Sequence, residues 1–393
     1  MERSELIAVV RASGGAVECS GTFFLGNAGA DAAKSEKARH ADCLATGARV
    51  ATSGLGWLCV QTGGTSGGVK FARHDERTLS AAVRGFCEHF EVKRVNAVDV
   101  LPAHHVSGLM ARVRCAATGG THVAWSWKRL EAGERPVLGG ESGDWVISLV
   151  PTQLQRLLGS AEAVAWLRGF TAIFVGGGPV WAELTERAGK EELPLSLSYG
   201  MTETAAMIAA LKPEEFLGGA RSCGLALPHA VVTLSAAGVV RIAGESVFRG
   251  YWPEESEARE FETADLGYFD ERGHLHISGR RDAVIITGGE KVQPLEVEMA
   301  LRASGEFDDV AVVGVADADW GEAVVGCYPA GGREPDLERA VANLSGALKP
   351  KRFVAVPDWP RDAQGKINRE WLQRRVGPSA RISSTGHGEA AQQ

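Results

Sequence analysis

The feature that most constrains this chain is a strand–helix rhythm running from about residue 56 to about residue 210. GWLCVQ (56–61) reads as a short buried strand. After a glycine-rich stretch comes a helix in which Leu79, Val83, Phe86 and Phe90 share one face at i, i+4, i+7 and i+11. VNAVDVL (95–101) is a strand and HVSGLMARVRCAA (105–117) a helix. DWVISLV (144–150) is a strand, and Pro151 opens the helix that follows, where the proline's missing N–H costs nothing. TAIFVGG (171–177) is a strand with Pro179 opening the next helix. LPLSLSY (193–199) is a strand, and TETAAMIAA (202–210) is expected to begin a helix. Strands that alternate with helices predict parallel pairing in an α/β sheet. Ligands of such sheets sit at the loops that follow the strands' carboxyl ends, so those loops belong to one candidate site.

The pattern changes near residue 222. VVTLSAAGVVRIAG (231–244) reads as a β-hairpin, and short strands continue to about 279. Beyond the GRRD junction (279–282) come the apolar runs VIIT, VAVVGVA, AVVGCYPA and FVAV with two helical patterns between them, a small α+β domain. The expected organisation is a large domain at 1–281, a small mobile domain at 282–378, and a polar tail at 379–393 too poor in apolar residues to order itself. Residues 1–55 are weakly patterned.

Composition narrows the function. With 42 Lys plus Arg against 49 Asp plus Glu the net charge is −7, which argues against a protein that grips nucleic-acid backbones. Apolar residues make up 45% and charged residues 23%, the balance of a folded globule. The seven cysteines show neither a disulfide framework nor zinc-ligand spacing, as for thiols in a reducing compartment. The N-terminal MERSELIAVVRASGG has too short an apolar core for a signal peptide, and no run approaches a membrane span. These readings predict a cytoplasmic protein.

Four segments carry chemistry. Thr62-Gly63-Gly64-Thr65-Ser66-Gly67-Gly68-Val69-Lys70 combines glycines, hydroxyls and a lysine, the donors a phosphate needs, at an expected strand-to-helix connection. It is not a Walker A loop, because Val69 intervenes before the lysine and Phe71 stands where a hydroxyl is required. A flexible glycine turn explains it equally well. In Ser198-Tyr199-Gly200-Met201-Thr202-Glu203-Thr204, the tyrosine can stack on a flat ring, Thr202 can donate to a phosphate and Glu203 can hold Mg²⁺. The alternative is a helix start capped by Thr202. Asp265, expected just after a strand, can accept two ribose hydroxyls or make an Asx turn. Lys366, in Pro360-Arg361-Asp362-Ala363-Gln364-Gly365-Lys366, is by itself an ordinary solvated lysine.

Taken in order, these segments resemble the adenylate-forming acyl- and aryl-CoA synthetase superfamily over about residues 55–377. Its phosphate loop reads roughly T-S-G-S/T-T-G-x-P-K; here Gly63, Ser66 and Val69 depart from it. The tyrosine segment, the Asp265 segment, GRRD, the Thr287-Gly288-Gly289-Glu290-Lys291 turn and Gly365-Lys366 follow in family order. Only 61 residues precede the loop, so the resemblance implies a reduced N-terminal region. Leu101-Pro102-Ala103-His104-His105-Val106-Ser107-Gly108 and Ser148-Leu149-Val150-Pro151-Thr152-Gln153 resemble segments of the o-succinylbenzoate–CoA ligases of menaquinone and phylloquinone synthesis.

The resemblance implies a two-step ligase that uses ATP, Mg²⁺ and coenzyme A, first forming an acyl-adenylate and then a thioester. By the same resemblance, Thr62, Gly63, Gly64, Thr65, Ser66, Gly67 and Lys70 hold the β- and γ-phosphates with Thr202, and Glu203 binds Mg²⁺. Tyr199, Gly200 and Gly176-Gly177-Gly178 hold adenine, while Asp265 takes the ribose with Arg280 nearby. Lys366 is the catalytic lysine. Asp282 is the hinge about which the small domain turns to bring Gly288 and Gly289 to the pantetheine. His105, Ser107 and Gln153 are candidates for the acid pocket, and these three with Arg156 are candidates for holding the acid's second carboxylate. Another aryl-acid CoA ligase, a carrier-protein-loading enzyme and a non-catalytic nucleotide-binding protein stay open. A homo-oligomer is compatible with all of them.

Overall fold

The computed structural model describes residues 1–19, 21–26, 31, 33–34, 56–63, 69–139, 145–361 and 367–377. Contacts divide the chain into two units, Met1–Asp282 with Arg361–Lys366, and Ala283–Pro360 with the residues from Ile367 on. The first unit begins with α1 (Arg3–Ala12), which buries Leu6 and Val10. β1 (Ala16–Cys19) and β2 (Thr22–Leu25) pair antiparallel, β2 runs parallel to β3 (Leu58–Gly63), and β3 pairs antiparallel with β4 (Val69–His74). The glycine-rich stretch therefore joins two strands of a hairpin, with Thr62 opposite Lys70, and not a strand to a helix as expected. The reason is local: Phe71, Ala72, Arg73 and His74 extend β4 into the core, and the helix signal, Asp75, comes only after them. That aspartate caps α2 (Glu76–His89) by accepting the Arg77 and Thr78 N–H groups. Leu79, Ala82, Val83 and Phe86 form the buried face of the helix, and Phe90 closes it as the C-cap.

The alternating segments then build one sheet. In chain order they are β5 (Asn96–Asp99), α3 (Val106–Thr118), β6 (His122–Ala124), α4 (Trp127–Glu131), β7 (Trp145–Leu149), α5 (Pro151–Leu157), α6 (Ala161–Leu167), β8 (Ala172–Val175), α7 (Ala182–Lys190), β9 (Leu195–Met201), β10 (Ala206–Ala210), α8 (Pro213–Leu217) and β11 (Leu225–Ala226). Among the described residues the strand order is β11-β10-β9-β8-β7-β5-β6. All pairs from β6 to β9 are parallel. β8 is buried at every position, as befits a strand covered on both faces. Ile147, Ile173, Leu195, Leu154, Leu167 and Leu184 belong to the core on one face.

Two helix expectations fail. Pro179 does not open a helix; α7 starts at Ala182. TETAAMIAA is not a helix: Thr202–Thr204 makes one tight 3₁₀ turn, and Ala206–Ala210 returns as a strand antiparallel to β9. The reversal uses positive φ at Ala205 (52°) and Ala206 (77°). Every residue of β10 is buried, so the segment lacks the polar face a surface helix needs, and pairing with β9 overrides its alanine-rich helical propensity.

β12 (Ala230–Leu234), β13 (Val239–Gly244), β14 (Glu260–Phe269) and β15 (Leu275–Arg280) complete the first unit as an antiparallel meander, beginning with the expected hairpin. The second unit contains β16 (Ile285–Thr287), β17 (Glu290–Val292), α9 (Pro294–Ala303), β18 (Ala311–Asp317), β19 (Gly321–Pro329), α10 (Leu337–Ala340), β20 (Arg352–Val356) and α11 (Arg369–Val376). Its sheet order is β17-β16-β19-β18, with β20 parallel to β19. Each face of that sheet has its own apolar core, one including Val297, Leu301 and Val312, the other Val313, Val325 and Leu372. No helix among the described residues is long and apolar enough to cross a membrane.

Candidate active site

Parallel registration fixes which loops meet. Asp99 of β5 pairs with Ser148 of β7, Leu149 with Val175 of β8, and Val175 with Leu197 of β9. The carboxyl ends of four adjacent strands thus deliver residues 101–107, 150–153, 176–178 and 199–204 side by side at one edge. Gly176 is needed there, since a Cβ would lie 2.9 Å from Ser198 Oγ, and Gly177 has φ +77°. A Cβ on Gly178 would meet open space. Gly200 is more tightly constrained: a Cβ would fall 2.0 Å from the Ala206 carbonyl oxygen, where β10 crosses back.

Tyr199 donates its phenolic hydrogen to Asp265 Oδ2 at 2.6 Å, and Arg280 Nη1 donates to Oδ1 at 3.0 Å. Asp265 lies inside β14, not after a strand as expected, because β14 runs on to Phe269 in register with β15 and sets Asp265 opposite Arg280. Burial, with Asp265 beside it, pushes the Tyr199 phenol well above its ordinary pKa, so it stays a donor. A carboxylate offers about four lone-pair sites, and two donors leave room for ribose hydroxyls.

Glu203 is buried in the 3₁₀ turn after β9. Its Oε1 accepts the Tyr251 hydroxyl at 2.8 Å and the Thr62 hydroxyl at 3.3 Å. No described residue hydrogen-bonds Oε2, so the donor set fits a hard cation that takes one oxygen. The Thr202 carbonyl accepts from His74 Nε2 at 2.7 Å, which requires the Nε2–H tautomer; His74 Nδ1 faces Thr78 Oγ1 at 3.1 Å. Burial holds the His74 pKa at about 4, so the ring is neutral near pH 7. Lys70 Nζ lies 5.1 Å from the centre of the Tyr251 ring.

His105 is the N-cap residue of α3 but makes no side-chain cap, and its ring lies 4.3 Å from that of His104. Ser107 follows in the first turn of α3. Gln153 is half committed, its Oε1 accepting the Val150 N–H at 3.0 Å. Arg156 is drawn away to Glu131 on the surface at 2.7 Å. In the first unit Asp282 takes a two-pronged contact from Arg280, at 2.9 and 2.7 Å. In the second unit Gly288 (φ 58°) and Gly289 (φ 84°) make the β16–β17 turn, both positive as a two-residue hairpin of this hand requires. Gly64, Thr65, Ser66, Gly67 and Lys366 lie outside the described residues.

The sequence reading missed Tyr251, His74, Asp75 and Arg249, which surround Glu203 or anchor its neighbours. For Asp75 a signal existed, an aspartate directly ahead of an amphipathic run. The other three carry no local pattern, and only their tertiary neighbours single them out.

Residues 58–252 match the family described as AMP-binding enzyme, and residues 296–366 match the AMP-binding enzyme C-terminal domain. A 2-succinylbenzoate–CoA ligase of Listeria innocua is 34% identical over 238 residues, covering 58% of this chain and 51% of the relative. One from Bacillus licheniformis is 31% identical over 336 residues, covering 79% and 68%. The o-succinylbenzoate CoA synthetase of Bacillus subtilis, solved with its acyl-adenylate intermediate, superposes with a TM-score of 0.70 at 25% identity, covering 81% and 69%. This chain spans about half the length of its Listeria relative. With both family domains matched in order, and a 31%-identical relative covered over two thirds of its length, the chain belongs to the AMP-binding enzyme family.

Proposed function

We propose that this chain is an AMP-forming acid–CoA ligase that converts o-succinylbenzoate to its CoA thioester through an acyl-adenylate. The observation that carries the reading is the convergence of Tyr199, Asp265, Thr62 and Glu203 at the carboxyl edge of the parallel sheet, beside three glycines. The substrate rests on similarity to the succinylbenzoate ligases.

In this reading the chain's task is electrostatic. A carboxylate attacks the α-phosphorus of ATP, the bond to pyrophosphate breaks, and charge grows on oxygens that need fixed donors. Lys70, Thr202 and the glycine-rich loop (Gly63, Gly64, Thr65, Ser66, Gly67) supply those donors, and Thr62, whose hydroxyl hydrogen goes to Glu203, keeps its assignment beside them. Tyr199 and Gly176–Gly178 with Gly200 offer a flat slot for adenine. Asp265, steered by Tyr199 and Arg280, accepts from the ribose. Glu203 would hold Mg²⁺, which when bound neutralises phosphate charge. Lys366 is assigned the carboxylate and α-phosphate oxygens, and Gly288 and Gly289 the pantetheine of CoA in the second step. Asp282, where the first unit's long segment ends, is the assigned hinge. His105, Ser107 and Gln153 keep their assignment to the acid pocket.

The test is AMP formation from ATP, Mg²⁺ and o-succinylbenzoate, with and without CoA, against benzoate and a fatty acid. CoA-dependent turnover confined to succinylbenzoate is expected. Turnover with benzoate alone would overturn the substrate and keep the chemistry. ATP binding without turnover on any acid would overturn the ligase.

A further inference from the structure

We propose that Tyr251 is a positioning residue for the metal-binding carboxylate, holding Glu203 in one orientation. The proposal rests on the reading of Glu203 as the Mg²⁺ ligand and goes one step beyond it.

Tyr251 is fixed before it touches the site. Residues 249–252 run antiparallel beside β4, joined to it by an isolated bridge and backbone hydrogen bonds. Arg249 N–H donates to the Arg73 carbonyl at 2.7 Å, Arg73 N–H to Gly250 at 3.0 Å, and Trp252 N–H to Phe71 at 2.9 Å, with Tyr251 bridged to Ala72. Phe248 N–H reaches the Glu203 carbonyl at 2.9 Å, so the same segment grips the main chain of the residue it orients. Next to it, Arg249 Nε meets Asp75 Oδ2 at 2.8 Å inside the protein, pinning the segment to the start of α2.

From that fixed position the side chain acts in two directions. Its hydroxyl donates to Glu203 Oε1 at 2.8 Å, and the Thr62 hydroxyl completes that oxygen at 3.3 Å. Two donors on one oxygen set the rotation of the carboxylate and leave the other oxygen for the cation. On its ring face Tyr251 receives the Lys70 ammonium at 5.1 Å. Thr62 and Lys70 are cross-strand partners at the base of the glycine-rich hairpin. Among residues that orient metal ligands, loss of one partner typically weakens binding 10–100-fold.

The experiment is Tyr251→Phe, which keeps the ring and deletes the donor. Mn²⁺ is titrated into protein with ATP and followed by the free-ion resonance signal. The Mg²⁺ dependence of ATP–pyrophosphate exchange with o-succinylbenzoate is measured in parallel, with thermal melts on each variant. Mn²⁺ affinity is expected to fall about tenfold, with half-saturation by Mg²⁺ raised by a similar factor and the KM for the acid unmoved. In a Glu203→Gln background the same change should add nothing. Wild-type Mn²⁺ affinity in Tyr251→Phe, or an equal loss in both backgrounds, overturns the proposal. Wild-type protein that binds no Mn²⁺ with ATP overturns it together with the nucleotide reading. Wild-type protein that binds both but does not exchange on succinylbenzoate overturns the substrate alone, and the Mn²⁺ titration still decides the role of Tyr251.

Discussion

Replacing Arg249 by methionine should destabilise the first unit by about 3 kcal/mol at pH 7, with a dependence on pH that identifies the cause. Arg249 and Asp75 are 5% and 3% exposed and meet at 2.8 Å. Methionine fills much of the arginine's volume but leaves a buried carboxylate without its counter-charge, a change that costs about 3–5 kcal/mol in comparable pairs. The lower end applies because Asp75 Oδ1 keeps the Arg77 and Thr78 N–H groups at 3.0 and 2.9 Å. In the native protein burial pushes the Asp75 pKa up, but the Arg249 hydrogen bond and the Thr78 N–H outweigh it and hold it below the ordinary value. The native carboxylate therefore stabilises the fold above its unfolded pKa of 3.8, and that contribution is lost only as pH falls through the lower folded value. In Arg249→Met burial is no longer opposed by the guanidinium, so the folded pKa rises above the unfolded one. The penalty is then full at neutral pH and relieved as acid protonates the buried group. Urea unfolding followed by tryptophan fluorescence at pH 7 and pH 5 should show the gap to native protein shrinking on acidification. Adding Asp75→Asn, which removes the charge and keeps a cap, should recover part of the loss at pH 7. A cost below about 1 kcal/mol at pH 7, or a gap unchanged by both acid and Asp75→Asn, would refute the assignment of a buried, mutually dependent pair.

His74 and His229 are both held near pKa 4, mainly by burial. Each folded value lies below the unfolded 6.5, so their contribution is whole above pH 6.5 and lost as pH falls toward 4, at up to about 2.7 kcal/mol per pH unit for the two together. Urea midpoints across pH 7 to 5 should fall, and His74→Gln should roughly halve the slope; a flat profile would remove this account. Gly200→Ala should cost about 3 kcal/mol in the same assay, the upper end for an overpacked site, because its Cβ would strike the Ala206 carbonyl at 2.0 Å. Gly178→Ala, facing open space, should unfold within about 0.5 kcal/mol of native. Lys366→Ala should lower ATP–pyrophosphate exchange by about two to three orders of magnitude with the urea midpoint unmoved; undiminished exchange would deny that lysine its role.

Much of the fold was legible because its signals are local. The helix at 76–89 shows in the spacing of Leu79, Val83 and Phe86, and the buried strands at 145–149 and 172–175 announce themselves as apolar runs between turns. The sequence reading failed where neighbours distant in the chain outweighed local preference. The 202–210 segment carries alanine-rich helical propensity, yet becomes a strand because β9 offers a ladder and both faces are covered. The glycine-rich loop turned out to be a hairpin because Thr62 and Lys70 pair across it.

The candidate site divides in the same way. Residue types and their order, with the family resemblance, nominated Thr62, Tyr199, Glu203, Asp265 and Lys366; the fold joins the first four as two hydrogen-bonded pairs, and Lys366 lies outside the described residues. Their assembly was hidden. Thr62 and Glu203 lie 141 positions apart, Tyr199 and Asp265 66, and Tyr251 and Glu203 48. Parallel pairing of β7, β8 and β9, the return of β10 and the laying of residues 249–252 along β4 bring them together. Local sequence fixes what each short segment prefers through dihedral, capping and burial preferences acting over a few residues. The geometry of a site made from distant segments follows from sheet register and packing, which only the whole folded chain can satisfy.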